Sequence, residues 1–190
     1  SPLRPSAPPL PLLLPLLLSL PPPPLLLLLV AAPASAERLL FDHRLYPPLK
    51  AIFDDGRDEM IAHNRSDPKY IVDRIAIIGN SLDDWTEAMD IIARAPSKDV
   101  KTKEDWLAEI KSKASAACPS TFETLASDDI SITFSRRSTG CATDKVQYAL
   151  YRIVVGKRTM FLLNPIRRAD MSDSVRQQWI ELLKSARLEK

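Results

Sequence analysis

Histidine, cysteine and glycine are scarce in this chain: two, two and four among 190 residues. Each shortage excludes something. Two histidines, His43 and His63, leave few side chains able to shuttle protons near neutral pH, and no G-x-S-x-G nucleophile motif accompanies them. A structural zinc site wants four Cys or His ligands, and the chain's few are scattered. Four glycines leave no Gly-rich phosphate loop, and no internal repeat points to a solenoid. There is also no excess of charge. Lys and Arg number 26 against 24 Asp and Glu. Nucleic-acid binding needs a sustained basic excess on one face, so nucleic acid is not expected as a partner. No cofactor and no metal are expected either.

Residues 1–36 carry one charged side chain, Arg4, and eleven of the seventeen prolines. Their end, LLLLLVAAPASAE (25–37), reads as the close of a secretory signal. A short apolar stretch, Leu25 to Ala32, leads to Ala34-Ser35-Ala36, an A-x-A cleavage site that makes Glu37 the first mature residue. A membrane anchor would need roughly 20 uninterrupted apolar residues, and Pro11, Pro15 and Pro21 to Pro24 break any such helix. The expectation is therefore a periplasmic or secreted protein with no stable transmembrane span after cleavage.

Export decides the chemistry of Cys118 and Cys141. Paired thiols in an oxidising compartment become disulfides. The alternatives are poorly supported, because C-x-x-C is absent and metal ligands are too few. A Cys118–Cys141 bridge closes a loop of a size that contributes about 3 kcal/mol through the unfolded state. It would tie a helix end to a β-turn.

Residues 37–58 are weakly patterned and read as an N-terminal arm or linker. Pro47-Pro48 argues against a helix there, and Asp55-Gly56 marks a turn. A single domain is expected over 59–190. It opens with a short strand at 59–66 and a turn at Ser66-Asp67-Pro68. A β-branched strand follows at 70–79. Segment 85–95 is ambiguous: Trp85, Ala88, Ile92 and Ala95 suit a helix period, and alternation suits a strand less cleanly. KTKEDWLAEIKSKASAAC (101–118) is the clearest helix, with Thr102 and Asp105 in capping-box positions and Pro119 at its end. ISITFS (130–135) alternates as a strand. Residues 145–166 read as two strands joined at Gly156-Lys157, a loop suited to a type II′ turn. A second amphipathic helix runs over 172–188, capped by Ser172 and carrying Val175, Trp179, Leu182, Leu183 and Ala186. The order predicts an α+β fold: a mainly antiparallel sheet of about five to six strands packed by two amphipathic helices.

YIVDRIAIIGNSLDDWTEAMDII (70–92), AACP (116–119), VVGKRTMFLL (154–163) and VRQQWIELLKSARL (175–188), in that order, resemble small exported bacterial proteins of unassigned function. Those proteins share a W-T-E strand, a helix ending in Cys-Pro, a downstream second cysteine and a final W-x-x-x-L helix. More distantly, the architecture is similar to PsbP-like α+β domains. The resemblance implies that Trp85 to Ala93 is a strand, and it carries over no catalytic residues.

Chemistry-bearing residues are sparse. His43 and His63 read as exposed side chains, and Asp83, Asp84, Glu87 and Asp90 as a turn and a solvated strand edge without EF-hand spacing. Arg136-Arg137, Lys157-Arg158 and Arg167-Arg168 lie at strand ends. Converging on one rim, they would meet an anionic surface or an acidic envelope protein; the plainer reading is charge that protects exposed strand edges. The favoured function is a non-catalytic binding or accessory module of the cell envelope. A carrier with an apolar pocket between sheet and helix comes next, then an envelope hydrolase built on one of the histidines.

Protein recovered from its host is expected to give an intact mass beginning at Glu37, with two alkylated thiols appearing only after reduction. A full-length mass with two free thiols would contradict both export and the staple.

Overall fold

The computed structural model describes residues 37–64 and 70–189. The expected signal peptide, residues 1–36, and the expected turn at Ser66-Asp67-Pro68 lie outside the described residues. The elements run β1 (Arg38–Leu40), α1 (Pro47–Asp54), β2 (Ile61–Asn64), β3 (Tyr70–Gly79), β4 (Trp85–Arg94), α2 (Lys103–Ala117), β5 (Ser120–Ser127), β6 (Ser131–Ser138), β7 (Tyr148–Val155), β8 (Met160–Arg167), α3 (Asp173–Lys184) and β9 (Arg187–Glu189).

Seven strands form one antiparallel sheet in the order β2-β3-β4-β8-β7-β6-β5. Two meanders, β2–β4 and β5–β8, meet where β4 pairs with β8 from Glu87↔Arg167 to Arg94↔Met160. β1 and β9 pair separately. The α+β, antiparallel expectation holds, and Trp85–Arg94 is a strand as the resemblance implied. The strand number exceeds the expected five to six. β5 escaped notice because STFETLAS lies on the sheet edge, with most of its side chains exposed and no clean apolar alternation to reveal it.

Three further differences have physical reasons. Pro47 and Pro48 open a helix instead of forbidding one. They occupy its first turn, where the missing N–H groups would have had no intrahelical partner. Residues 37–58 consequently pack on the domain, with Tyr46, Leu49 and Ile52 buried. The β7–β8 connection spans residues 156–159 and is not a two-residue type II′ loop, and Gly156 has no positive φ. The last helix stops at Lys184, so that 187–189 can pair with β1. Other local signals hold. Thr102 and Asp105 cap α2 reciprocally at 3.1 and 3.0 Å, and Ser172 caps α3. Cys118, at the end of α2, and Cys141, in the loop after β6, lie at disulfide distance with Cα atoms 6.0 Å apart.

α1 and α3 cover one face of the sheet and α2 the other, as alternation along β4 shows. Glu87 contacts the first pair of helices, while Arg94, seven residues on and so on the opposite face, contacts α2. Glu87 is fully buried, not on a solvated strand edge. It accepts hydrogen bonds from the Tyr46 hydroxyl at the start of α1 and from Trp179 Nε1 of α3 at 3.2 Å. Arg167 Nε of β8 lies 3.1 Å from its other oxygen, close enough for charge attraction but misaligned for a hydrogen bond. The Tyr46 and Trp179 rings pack with centroids 4.1 Å apart. Burial raises the Glu87 pKa, against the lowering pull of Tyr46, Arg167 and Trp179.

Removing this carboxylate strands three partners. Glu87→Ala is expected to cost about 3–5 kcal/mol in urea unfolding at pH 7. Glu87→Gln keeps an acceptor and costs less. Because the folded pKa is raised, the proton-linked stability of Glu87 is complete below the unfolded value and declines as pH rises through the folded one. The margin of wild type over Glu87→Gln should therefore shrink as pH rises. A margin that grows with pH would mean that the ion pair, not burial, dominates.

Candidate functional site

One helix cannot cover a seven-stranded sheet. Six strand spacings of about 4.8 Å span roughly 29 Å, whereas a helix with its side chains is about 10–12 Å across. α2 runs over the β5–β7 side, where Lys111 lies 5.7 Å from the Phe122 ring. Beside it, the same face of β3, β4 and β8 is left partly open. The result is a cleft of about 380 Å³. Tyr70 and Val72 of β3, Ile92 of β4 and Ile110 of α2 are all half-buried along it, and Leu162 of β8 forms part of its floor.

The walls are fixed by charge. Arg94 is buried between the rings of Tyr70 and Trp106, 4.9 and 5.4 Å away. It donates to Glu109 at 3.0 Å and to Ser97 at 3.3 Å. Burial works against the ionised Glu109, but its bonds to Lys113 and Arg94 hold the pKa below the ordinary value. Farther along the open face, Arg74 clasps Asp90 with two bonds of 2.6 and 2.7 Å. Arg74 and Arg168 both lie over the Trp85 ring, 5.6 and 4.0 Å from its centroid.

The floor is polar at one point, where Arg136, Tyr151 and Asn164 line the cleft together. Asn164 precedes Pro165, which has no N–H for its neighbour strand. Its side-chain amide donates instead to the Leu150 carbonyl of β7, at 2.8 Å. The Tyr151 ring stacks on Phe134 at 4.5 Å, and burial raises the pKa of its hydroxyl. Arg136 gives one bond to the Val146 carbonyl at 2.9 Å.

The six basic residues of the expected rim do not gather. Register places Arg137 beside Tyr148 and Tyr148 beside Arg167, so Arg136-Arg137 and Arg167-Arg168 share one end of the sheet. Lys157-Arg158 sit in the β7–β8 turn at the other end. Within the first pairs, roles diverge. Arg136 lines the cleft, and Arg137 meets Asp170 at 3.2 Å. Arg167 pairs with buried Glu87, and Arg168 covers Trp85. The β7–β8 turn is engaged through its backbone. The N–H groups of Lys157, Arg158 and Thr159 hold the Glu37 carboxylate at 2.6, 2.8 and 3.0 Å. A side chain at Gly156 would meet that carboxylate at 2.6 Å.

His63 lies on β2, 2.9 Å from Asp73, and His43 packs on Phe53 with ring centroids 4.8 Å apart. Neither lines the cleft. Of the three tryptophans only Trp106 does. Sequence reading missed Tyr70, Arg94, Tyr151 and Asn164. A signal existed for two of them: Arg94 closes the apolar run MDIIAR, and Asn164 interrupts MFLLNPI. Among the described residues no group of three or more His, Cys, Asp or Glu is placed to hold a metal, and no helix is long and apolar enough to cross a membrane. No family model matches the chain, and no curated protein matches it.

The three bonds from the β7–β8 turn lower the Glu37 pKa. A lowered carboxyl contributes stability above its unfolded pKa and loses it as pH falls through the folded one. Glu37→Gln should therefore lower Tm at pH 7, and the gap should close as the solution is acidified below the ordinary glutamate range. A gap that does not depend on pH would show that the charge of Glu37 is not what the turn holds.

Proposed function

We propose that this chain is an exported, non-catalytic binding module whose cleft between α2 and the sheet takes a small, largely apolar molecule. The reading rests on one observation: four half-buried apolar side chains, from two strands and a helix, converge on a single cleft of about 380 Å³. That volume is at the small end of ligand pockets, which run roughly 300–1,000 Å³. A few polar groups among apolar walls is the usual composition of such sites. The resemblance to small exported bacterial proteins and the A-x-A site after the apolar run support a cell-envelope setting, and a cysteine pair at disulfide distance fits an oxidising compartment. A hydrolase is less well supported, since neither histidine reaches the cleft.

The neutral fluorophore 1-N-phenylnaphthylamine should bind saturably with a dissociation constant of roughly 1–10 μM, the weak affinity expected of a small apolar ligand. Trp106 fluorescence should fall as it binds. Ile110→Trp, which fills the cleft from the helix side, should weaken binding by about tenfold or more. No saturable signal in wild type, or undiminished binding by Ile110→Trp, would sink the reading.

A further inference from the structure

We infer that the cleft selects amphipaths with a single anionic head, and that Arg136 is the residue that reads the head. This deepens the binding reading above and rests on it. The argument is one of unbalanced charge. Three residues with ionised side chains line the cleft: Glu109, Lys113 and Arg136. Glu109 is already committed twice, to Arg94 and to Lys113. Asp90, the nearby acid on the same face, is clasped by Arg74. Arg136 is left with no carboxylate partner among the described residues. Its neighbours are neutral, the Val146 carbonyl at 2.9 Å and the Tyr151 hydroxyl, and its Nε is buried without an acceptor.

A guanidinium in that position is costly. It is half-buried on the cleft floor that it shares with Tyr151 and Asn164, and lacks the counter-ion that burial of a charge calls for. An incoming anion supplies it. Guanidinium suits this task, because its planar fork of donors matches a carboxylate or phosphate in two bonds. Tyr151 and Asn164 stand beside it as further polar groups, each held by its own packing: the Phe134 stack and the Leu150 carbonyl. The apolar body of the ligand then lies along Leu162, Ile92, Val72 and Ile110 toward Tyr70. Polar floor and apolar wall are continuous, so one molecule satisfies both.

Displacement of 1-N-phenylnaphthylamine by decanoate, monodecyl phosphate and decanol at pH 7.5 tests the inference. In wild type at least one of the two anions should compete at least tenfold better than decanol, and the better one names the head as carboxylate or phosphate. Arg136→Met should abolish that preference, read within the variant as the ratio of anion to decanol competition, and Arg136→Lys should keep part of it. Equal competition by anions and decanol in wild type would overturn the inference and leave the apolar-cleft reading standing. So would a preference that survives Arg136→Met. Failure of the probe and of all three competitors in wild type would instead remove the cleft reading itself.

Discussion

The fold is organised around one ionisable group in a place where water cannot reach it. Glu87 lies at the junction of β4 and β8, the seam where the two meanders join, and its carboxylate takes bonds or charge from α1, α3 and β8 at once. A buried carboxylate is expensive, and here one oxygen accepts two hydrogen bonds while the other meets Arg167 by charge alone. Its cost is what makes the arrangement specific. Tyr46, Trp179 and Arg167 come from distant parts of the chain, so the charge is satisfied only when all three elements have docked. An apolar residue at this position would pack but would not require that particular combination. The same constraint explains why residues 37–58 are folded. Tyr46 must stay where its hydroxyl reaches Glu87, and the prolines after it fix the helix that keeps it there.

The parts of this design legible in sequence were those set by local rules. The Thr102–Asp105 cap, the Ser172 cap, the β-branched run of β3 and the cysteine pair each follow from residue chemistry over a few positions. What stayed hidden was decided by tertiary contact. Glu87, two residues after Trp85, has the composition of an exposed turn, and nothing nearby announces that Tyr46 and Trp179 will close over it. Pro47-Pro48 was misjudged because the penalty of proline depends on its position in a helix, not on its presence. β5 shows no clean apolar alternation, because only Phe122 and Leu125 of its large side chains pack inward and a register shift follows between Thr124 and Ala126. The basic pairs were visible as pairs. Register, a property of the whole sheet, sent them to opposite ends and into unrelated contacts.

The two faces of the sheet are finished differently. On one, two helices and the Glu87 network leave Trp179, Leu150, Met89 and Ile75 fully or almost fully buried. On the other, a single helix covers less than half the width, and the remainder is protected by guanidinium groups lying over aromatic rings: Arg94 on Tyr70 and Trp106, Arg74 and Arg168 on Trp85. Arg74 and Arg168 shield apolar surface while staying partly exposed, and Arg94 does so from a buried position. Between the guanidinium cover and the helix the shielding stops, and there Val72, Ile92 and Ile110 remain half-buried.

That gap lies beside a helix that is held at both ends and braced midway by Glu109 on Arg94 and Lys111 over Phe122. At its start, Trp106 is pinned against Arg94 and Lys103 reaches the carbonyls of the β5–β6 turn. At its end, Cys118 is tied to Cys141. Between them only Trp106 and Ala114 are buried. A helix anchored this way need not settle onto β3 and β4 to be stable, and closing the gap would drive Arg136 against apolar side chains with no anion to meet it. Trp179, Leu150, Met89 and Ile75 are closed off on the Glu87 face, whereas Val72, Ile92 and Ile110 stay half-buried beside α2.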